Sequence, residues 1–250
     1  LALMGHKVDI FEAGSAPGGL LHFGIPAYRL PPDVLKAEIK RIATLGVTIH
    51  LNKKVEDVLA EKEAGKYDAV FLGIGAHIGK RDDFSADKNF PVLDAFPFLQ
   101  EVNDGKTPAI GKKVLIYGGG KLAMYLSRVV KRLGAEATIL YNGDRKLMPA
   151  YDFEADDAIA EGVNIQFLRR IDKIENNTCT AEIMKVEKNK PVGTGEFETY
   201  AADSLLLALG QEVDSAFLRN INDISFKDDG SPVLNAERMT GHSGIFAGGD

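Results

Sequence analysis

Three consecutive glycines are the clearest sign of chemistry in this sequence. Gly118, Gly119 and Gly120 follow an apolar run, and the small residue Ala123 comes three positions later. Glycines in this arrangement let the backbone turn tightly and approach a pyrophosphate, which binds at the positive N-terminal end of the next helix. A purely structural turn has the same composition, so the flanking elements must decide between the two interpretations.

The elements around these glycines complete a βαβ unit. Residues 113–117 have the pattern of a buried strand, residues 121–132 that of a helix, and residues 133–141 that of a second strand introduced by a glycine. A glycine pattern that joins a strand to a helix within about thirty residues is typical of dinucleotide binding. We therefore expect a dinucleotide to bind at this turn.

The same plan occurs twice in the chain. Residues 4–12 match residues 133–141, and residues 67–75 match residues 202–210. The first copy begins only at its second strand, so its glycine turn is expected upstream of Leu1. Residues 1–4 are typical of the last turn of a helix that ends at Gly5, and residues 243–250 of a short strand that runs into a glycine turn. Both ends thus fall inside regular elements, which suggests a piece of a longer protein, and natural termini that fray at each end are the alternative.

The charge at the end of the second strand differs between the two copies. Glu12 ends this strand in the first copy, where a carboxylate can accept hydrogen bonds from the hydroxyls of an adenosine ribose. A solvent-exposed glutamate at a strand end is the alternative interpretation. Tyr141 takes the same place in the second copy and carries no charge. The two copies are therefore expected to bind different nucleotides.

Composition narrows the possible functions. Hydrophobic residues make up 45% of the 250 residues, and the formal net charge of −6 gives no field that would attract nucleic acid or an anionic membrane. The single cysteine, Cys179, cannot form an internal disulfide, and the five histidines lack metal-ligand spacing. The apolar runs are too short for membrane insertion, and no signal peptide is visible. Cytoplasmic small-molecule chemistry with a bound cofactor and no metal is expected.

Three further segments have clear patterns. Residues 33–45 predict an amphipathic helix, and residues 152–161, with five acidic side chains, predict an exposed helix. Residues 185–198, rich in lysine and glycine, predict a polar hairpin on the second nucleotide-binding domain.

Several motifs resemble those of the flavoprotein family of the glutamate synthase small subunit. Residues 18–31 read GGLLHFGIPAYRLP, which is similar to the family's GGxLxxGIPxxRLP segment. Further matches are the "ATG" strand at 67–76, the GKKVxVIGGGxxA segment at 111–123, MPA at 148–150, GQ at 210–211 and GVFAxGD at 244–250. The matches span nearly the whole chain.

The resemblance implies an α/β fold with two Rossmann-like, three-layer dinucleotide-binding domains. The first binds FAD and comprises residues 1–108 and, as a return segment, residues 211–250. The NAD(P)-binding domain, residues 109–210, is inserted into it. The implied activity is that of an FAD-dependent NAD(P)H oxidoreductase, in which the cofactors carry the hydride chemistry and no side chain acts as a catalytic acid, base or nucleophile. Electrons would pass to iron–sulfur clusters outside these residues, in a flanking domain or a partner subunit.

The repeated βαβ plan and the resemblance together give the candidate cofactor contacts. Those assigned to FAD are Glu12, Gly18, Gly19, Leu20, Ile25, Gly75, Ala76, Gly249 and Asp250. Those assigned to NAD(P) are Gly118, Gly119, Gly120, Lys121, Leu122, Ala123, Asn142, Arg145 and Gly210.

The second nucleotide site departs from the family pattern. Lys121 and Tyr125 replace the Asn and Asp of the family's GGGNTAMD. Family members that use NADPH often read YRR at the end of the second strand, whereas here Asn142 follows Tyr141 and both arginines are absent.

Two charged residues come next in this loop. Asp144 would repel a 2′-phosphate, and Arg145 remains within reach, so NADH is favoured over NADPH. The alternative to an enzyme is an FAD-binding scaffold that has lost pyridine nucleotide binding and has no hydride transfer activity.

Overall fold

The structure, a computed structural model, describes residues 1–249 and divides into two compact units. The first unit comprises Leu1–Ile78 and the chain from Gln211 onward, and the second comprises Gly79–Gly210. The second unit is therefore a continuous segment inserted into the first, as the sequence predicted.

The first unit contains two pairs of parallel strands. β1 (Asp9–Phe11) pairs with β2 (Thr48–His50), and β3 (Val70–Leu72) pairs with β15 (Ile245–Ala247). Its α-helices are α1 (Leu20–Phe23), α2 (Pro32–Ala43) and α3 (Val58–Ala64). Residues of α3, β3 and β15 form its core with Leu218 and Ile221. β14 (Gln211–Glu212) also belongs to this unit, and β4 (Ile78–Gly79) lies at the boundary.

The first residues of the chain end a helical turn, as expected from their sequence. Ala2–Met4 forms a short 3-10 helix, and Gly5 closes it in the left-handed conformation with φ of 88°. Glycine adopts this conformation without the steric cost of a Cβ atom.

A parallel sheet of five strands forms the centre of the second unit. Its order is β6-β13-β7-β8-β9. The strands are β6 (Val92–Asp94), β7 (Lys113–Tyr117), β8 (Glu136–Tyr141), β9 (Asn164–Phe167) and β13 (Ser204–Leu207). The helices of this unit are α4 (Ala95–Asn103), α5 (Lys121–Arg132) and α6 (Asp152–Ala160).

A second sheet covers one face of the parallel sheet. Its order is β12-β11-β10-β5. The strands are β5 (Ser85–Ala86), β10 (Arg169–Glu175), β11 (Thr178–Glu187) and β12 (Lys190–Ala201). Side chains alternate along β7, so Leu115 and Tyr117 join the core shared with β10 and β11, while α5 packs on β7 and β8. The result is three layers: a helix layer, a parallel sheet and a mainly antiparallel sheet.

The boundary between the units differs from the predicted position at residue 109. Residues 79–108 lie in the second unit because β6 pairs in parallel with β13 and so extends the parallel sheet. The helix that follows, α4, buries Phe98 and Leu99 and contacts α5. No motif in these thirty or so residues signalled this pairing.

The other predicted elements are present, with one correction. α2 corresponds to the predicted amphipathic helix, and β11 and β12 form the predicted hairpin, in which Lys188 and Asn189 have φ of 50° and 60°. Such positive values at both central residues are typical of a two-residue hairpin turn. The prediction of an exposed helix at residues 152–161 was wrong at Glu154, because this side chain faces α5 and is only 2% exposed.

Ion pairs join α5 to the end of α6. Arg128 Nη2 donates to Glu161 Oε1 at 2.6 Å, and Arg132 Nη1 donates to Glu161 Oε2 at 2.5 Å. The hydrogen bonds from Arg132 and Arg128 lower the pKa of Glu161 to about 2. Glu161 therefore stays ionised at neutral pH and stabilises the contact between the two helices.

The longest α-helices, α2 and α5, have 12 residues each. A helix needs about 20 residues to cross a bilayer. Among residues 1–249, therefore, no helix could span a membrane.

Candidate nucleotide-binding sites

In the second unit, Gly118 is required by the packing of the protein itself. It follows β7 with φ of 139°, a conformation that residues with a Cβ rarely adopt. Its N–H donates to the carbonyl oxygen of Leu140 at 3.0 Å. A Cβ at this position would overlap the carbonyl oxygen of Ala208. This glycine fits the crowded point where β7, β8 and the end of β13 meet.

The next two glycines lie in different surroundings. A Cβ on Gly119 would lie 2.6 Å from the ring of Tyr141, so this position is also crowded. Gly120 precedes α5 with φ of −87°, and a Cβ there would meet no atom within 4 Å. Within the part of the chain that the structure describes, no side chain caps this end of α5 by a hydrogen bond. The open space at the positive end of a helix of 12 residues fits a pyrophosphate.

The first turn of α5 places the other predicted contacts. Lys121 is exposed, Leu122 is half-buried and Ala123 is 0% exposed. The burial of Ala123 brings α5 close to the parallel sheet, as the third position of the glycine pattern requires.

An aromatic contact that the sequence did not predict holds the side chain of Lys121. Its Nζ lies 4.4 Å from the centroid of the Tyr151 ring, which stacks on Phe153 at 5.7 Å. The segment before Tyr151 is fixed to the glycine turn, because the N–H of Ala150 donates to the carbonyl oxygen of Gly119 at 3.1 Å. The ammonium group is therefore held by a cation–π contact close to the turn.

Tyr141, at the end of β8, organises the loop that follows. Its ring lies against both Gly119 and Gly143, where a Cβ would approach it to 2.6 and 2.8 Å. Its hydroxyl donates to the carbonyl oxygen of Leu147 at 2.7 Å. Burial raises the pKa of this phenol, so Tyr141 remains neutral and serves as a structural contact.

The charged residues of this loop are engaged by the protein. Oδ1 of Asp144 accepts a hydrogen bond from the N–H of Leu147 at 3.0 Å and so caps the 3-10 helix Arg145–Leu147. Arg145, a predicted nucleotide contact, donates to Oδ1 of Asp152 at 3.1 Å and to Oδ1 of Asp156 at 2.9 Å. Because Asp152 and Asp156 are four residues apart on α6, their carboxylates lie on one face of the helix, and this spacing is visible in the sequence.

Gly210 lies near the same edge of the parallel sheet. It has φ of 102°, and it follows the segment in which the N–H of Ala208 donates to the carbonyl oxygen of Tyr117 at 2.8 Å. The ends of β7 and β13 are thus joined, and Gly210 lies just beyond Gly118 and Ala208.

In the first unit, Glu12 is fixed directly after β1. Its N–H donates to the carbonyl oxygen of His50 at 2.9 Å, and its Oε1 accepts from the N–H of Gly14 at 2.7 Å. The side chain is half-buried. A carboxylate held in place at the end of this strand fits the acceptor of ribose hydroxyls.

The double glycine of the first unit again combines one crowded and one open position. Gly18 has φ of 121°, and a Cβ would lie 3.1 Å from Leu35. Gly19 has φ of 52° and precedes α1 in open space. Leu20 begins α1, and its carbonyl oxygen accepts from the N–H of Ile25 at 3.0 Å, so these predicted contacts share one turn.

The glycines after β3 and β15 lie at the same edge of their sheet because the two strands are parallel. Gly75, followed by Ala76, has φ of 68°, and Gly249 has φ of 109°. A Cβ added at Gly249 would meet no atom of the described residues within 4 Å. Gly248 N–H donates to the carbonyl oxygen of Leu72 at 3.2 Å and joins the two ends. Asp250, the remaining predicted FAD contact, lies outside the described residues.

Among residues 1–249, no three or more His, Cys, Asp or Glu side chains are placed to hold a metal ion. Glycine turns, helix N-terminal ends and the Glu12 carboxylate are the features of the two units that fit nucleotide binding.

Comparison with known proteins gives a family for this arrangement. Residues 5–250 match the family described as pyridine nucleotide-disulphide oxidoreductase. The chain is 35% identical over 269 residues to the beta subunit of NADP(+)-dependent formate dehydrogenase from Moorella thermoacetica, matching 100% of this chain and 38% of that protein. It is 29% identical over 276 residues to the small chain of glutamate synthase [NADPH] from Escherichia coli, matching 98% of this chain and 58% of that protein. These matches confirm the resemblance seen in the sequence.

A solved structure agrees with the fold. Thioredoxin reductase from T. acidophilum superimposes with a TM-score of 0.72 at 16% identity, covering 100% of this chain and 83% of that chain. The predicted fold class is confirmed, whereas the individual cofactor contacts stay predictions. The chain spans 38% of the formate dehydrogenase subunit and 58% of the glutamate synthase small chain.

Proposed function

The chain belongs to the pyridine nucleotide-disulphide oxidoreductase family, and we propose that it is a module of an FAD-dependent NAD(P)H oxidoreductase. The proposed reaction is hydride transfer between nicotinamide and FAD. The electrons are delivered to iron–sulfur clusters of a larger protein or complex, in a flanking domain or a partner subunit.

The contrast between Gly118 and Gly120 is the observation that carries this proposal. Packing against Ala208 accounts for Gly118, whereas a Cβ on Gly120, the N-cap of α5, would meet no atom of the described residues within 4 Å. A glycine that the protein does not need for its own packing is explained by the close approach of a ligand. Gly120 and the N–H groups of the first turn of α5 would hold the pyrophosphate of NAD(P), with Lys121 adding positive charge.

The first unit would hold FAD through groups of a different kind. The Glu12 carboxylate, fixed by the N–H of Gly14, would accept hydrogen bonds from ribose hydroxyls. Gly19 and Gly249, which both have positive φ and open space, would allow close approach of the backbone to the cofactor. This division gives each unit its own nucleotide.

Bound FAD and nicotinamide would supply the redox chemistry, so the task of the protein is to bind, orient and exclude water. The only cysteine, Cys179, is buried in the core of the second unit, and burial raises the pKa of its thiol to about 12. A thiol in that state is a poor nucleophile, which supports a route without a cysteine redox step.

The relatives support a partner for electron delivery. Two of them are named as a beta subunit and a small chain, and both are longer than this chain. We propose that this protein works with a partner domain or subunit, and that this partner carries iron–sulfur clusters.

An anaerobic titration of the full-length, flavin-loaded protein tests the proposal. NADH and NADPH are added separately, and the visible absorbance of the flavin is followed. Bleaching of this absorbance by either nucleotide is the expected result. If neither nucleotide bleaches a flavin that dithionite can reduce, the oxidoreductase proposal is refuted and an FAD-binding scaffold is favoured.

A further inference from the structure

The loop after β8 decides which pyridine nucleotide fits the second unit. In a βαβ nucleotide-binding unit, the adenosine ribose lies beside the carboxyl end of the second strand. Here that strand is β8, and the chain continues through residues 142–147 to α6. A ribose that carries a 2′-phosphate needs positive charge and hydrogen-bond donors at this point.

The first two positions after β8 offer no positive charge. Asn142 is neutral and half-buried. Gly143 is buried, and any Cβ there would come within 2.8 Å of the Tyr141 ring. The bond from the Tyr141 hydroxyl to Leu147 fixes the ring, so the loop cannot admit a longer side chain at Gly143 without moving Tyr141.

The third position carries a fixed negative charge. The Asp144 carboxylate caps the 3-10 helix through its bond to the N–H of Leu147 at 3.0 Å. This bond holds the carboxylate in the loop. Its negative charge would therefore repel a phosphate placed at the same end of β8.

The fourth position is a cation that already has carboxylate partners. The guanidinium of Arg145 binds Oδ1 of Asp152 at 3.1 Å, the backbone carbonyl of Asp152 at 3.1 Å and Oδ1 of Asp156 at 2.9 Å. To bind a 2′-phosphate, it would have to leave two carboxylates. Lys146 is exposed and is the only other cation of the loop. The loop and the two α6 residues bound to it thus carry two cations and three carboxylates, those of Asp144, Asp152 and Asp156.

We propose that the second unit selects NADH and discriminates against NADPH, with the α6 carboxylates Asp152 and Asp156 acting as specificity determinants by holding Arg145. The inference rests on the proposed function, because it assigns a substrate to the same nucleotide site. The names of the relatives point to NADP for formate dehydrogenase and NADPH for glutamate synthase. This chain is therefore predicted to differ from them.

Binding of two nicotinamide-free probes tests the specificity without turnover. ADP-ribose and 2′-phospho-ADP-ribose are titrated into the full-length, flavin-loaded protein by isothermal titration calorimetry. ADP-ribose should bind at least about tenfold more tightly, which corresponds to a difference of about 1.4 kcal/mol. Equal binding, or tighter binding of the 2′-phosphate form, would overturn the specificity alone. Binding of neither probe would overturn both the specificity and the nucleotide site.

Releasing Arg145 provides the second test. In the double variant Asp152→Asn/Asp156→Asn, the guanidinium loses both carboxylate partners, so 2′-phospho-ADP-ribose should bind several-fold more tightly while the affinity for ADP-ribose changes by less than about twofold. Asp157→Asn is the matched control. It removes a carboxylate from the same helix, but this carboxylate pairs with Arg128, at 3.2 Å, and not with Arg145. A change in the ratio of the two affinities that is as large in the control as in the double variant would refute a specific role for Arg145.

Discussion

Two alanine substitutions in one turn separate the structural glycine from the proposed ligand-binding glycine. Gly118→Ala forces a Cβ against the carbonyl oxygen of Ala208 and places alanine at φ of 139°. Backbone strain of this kind costs about 1 to 3 kcal/mol, and displacement of the buried contact adds to it, so a loss of about 3 kcal/mol or more in unfolding free energy is expected.

Gly120→Ala should behave differently. The Cβ meets no atom within 4 Å, and φ of −87° is allowed for alanine. Replacing glycine at a helix N-cap by alanine costs about 0.5 to 1 kcal/mol, and the smaller entropy of the unfolded chain offsets about 0.4 to 1 kcal/mol. The stability should thus stay close to that of the unsubstituted protein. The new methyl group, however, occupies the space proposed for the pyrophosphate.

The expected loss in binding follows from the hydrogen bonds at stake. A hydrogen bond to a charged group contributes about 1.5 to 3 kcal/mol, so losing one at the start of α5 weakens NADH binding by about 10- to 150-fold. Chemical denaturation measures the stability of both variants, and calorimetric titration of the flavin-loaded protein measures NADH affinity. If Gly120→Ala binds NADH with unchanged affinity, the turn does not hold the nucleotide. If Gly120→Ala destabilises the protein as strongly as Gly118→Ala, the folded protein has no room for a Cβ at Gly120.

Three further outcomes are expected. Lys121→Ala should weaken the binding of NADH and of NADPH by the same factor, about three- to tenfold, because the lysine charge lies beside the turn shared by both nucleotides. Lys131→Ala, at the other end of α5, is the control and should change neither affinity when both are measured by titration. Glu161→Gln should lower the unfolding free energy by about 1 to 2 kcal/mol near pH 7 in denaturation measurements. Because the pKa of Glu161 is lowered in the folded protein, its contribution to stability is complete above about pH 4.5 and is lost as the pH falls towards 2. An equal difference between the two proteins at pH 2 would contradict this. Cys179 should react with iodoacetamide at pH 8 only after denaturation, because its buried thiol has a pKa raised to about 12, and rapid labelling of the native protein would contradict its place in the core.

The parts of the fold that were predictable depend on local patterns. The strand, glycine turn and helix around Gly118 follow one another directly in the sequence, so periodicity and glycine spacing located them. Glu12 was placed at its strand end in the same way, by matching the two copies of the repeat. The short turn closed by Gly5 was also visible locally, because a glycine ended the apolar run.

The parts that were missed depend on contacts between distant residues. β6 has three residues and extends the parallel sheet through its pairing with β13, more than a hundred positions later. Arg145 was predicted as a nucleotide contact, and its hydrogen bond to Asp156 depends on how α6 packs beside the loop. The contact of Lys121 with Tyr151 likewise requires the bond that fixes Ala150 to the glycine turn.

The insertion of one unit into the other has a consequence for the order in which the protein folds. All of the second unit, Gly79–Gly210, is synthesised as one stretch, so its sheets can form as soon as β13 has left the ribosome. The first unit must wait, because β3 pairs with β15, and Val70 meets Ile245 only after the whole inserted segment has been made. Early folding of the second unit brings Gly79 and Gly210 into one compact body and so shortens the effective loop that β3 and β15 must close. Mutations that slow folding of the inserted unit should therefore also delay the formation of the discontinuous one.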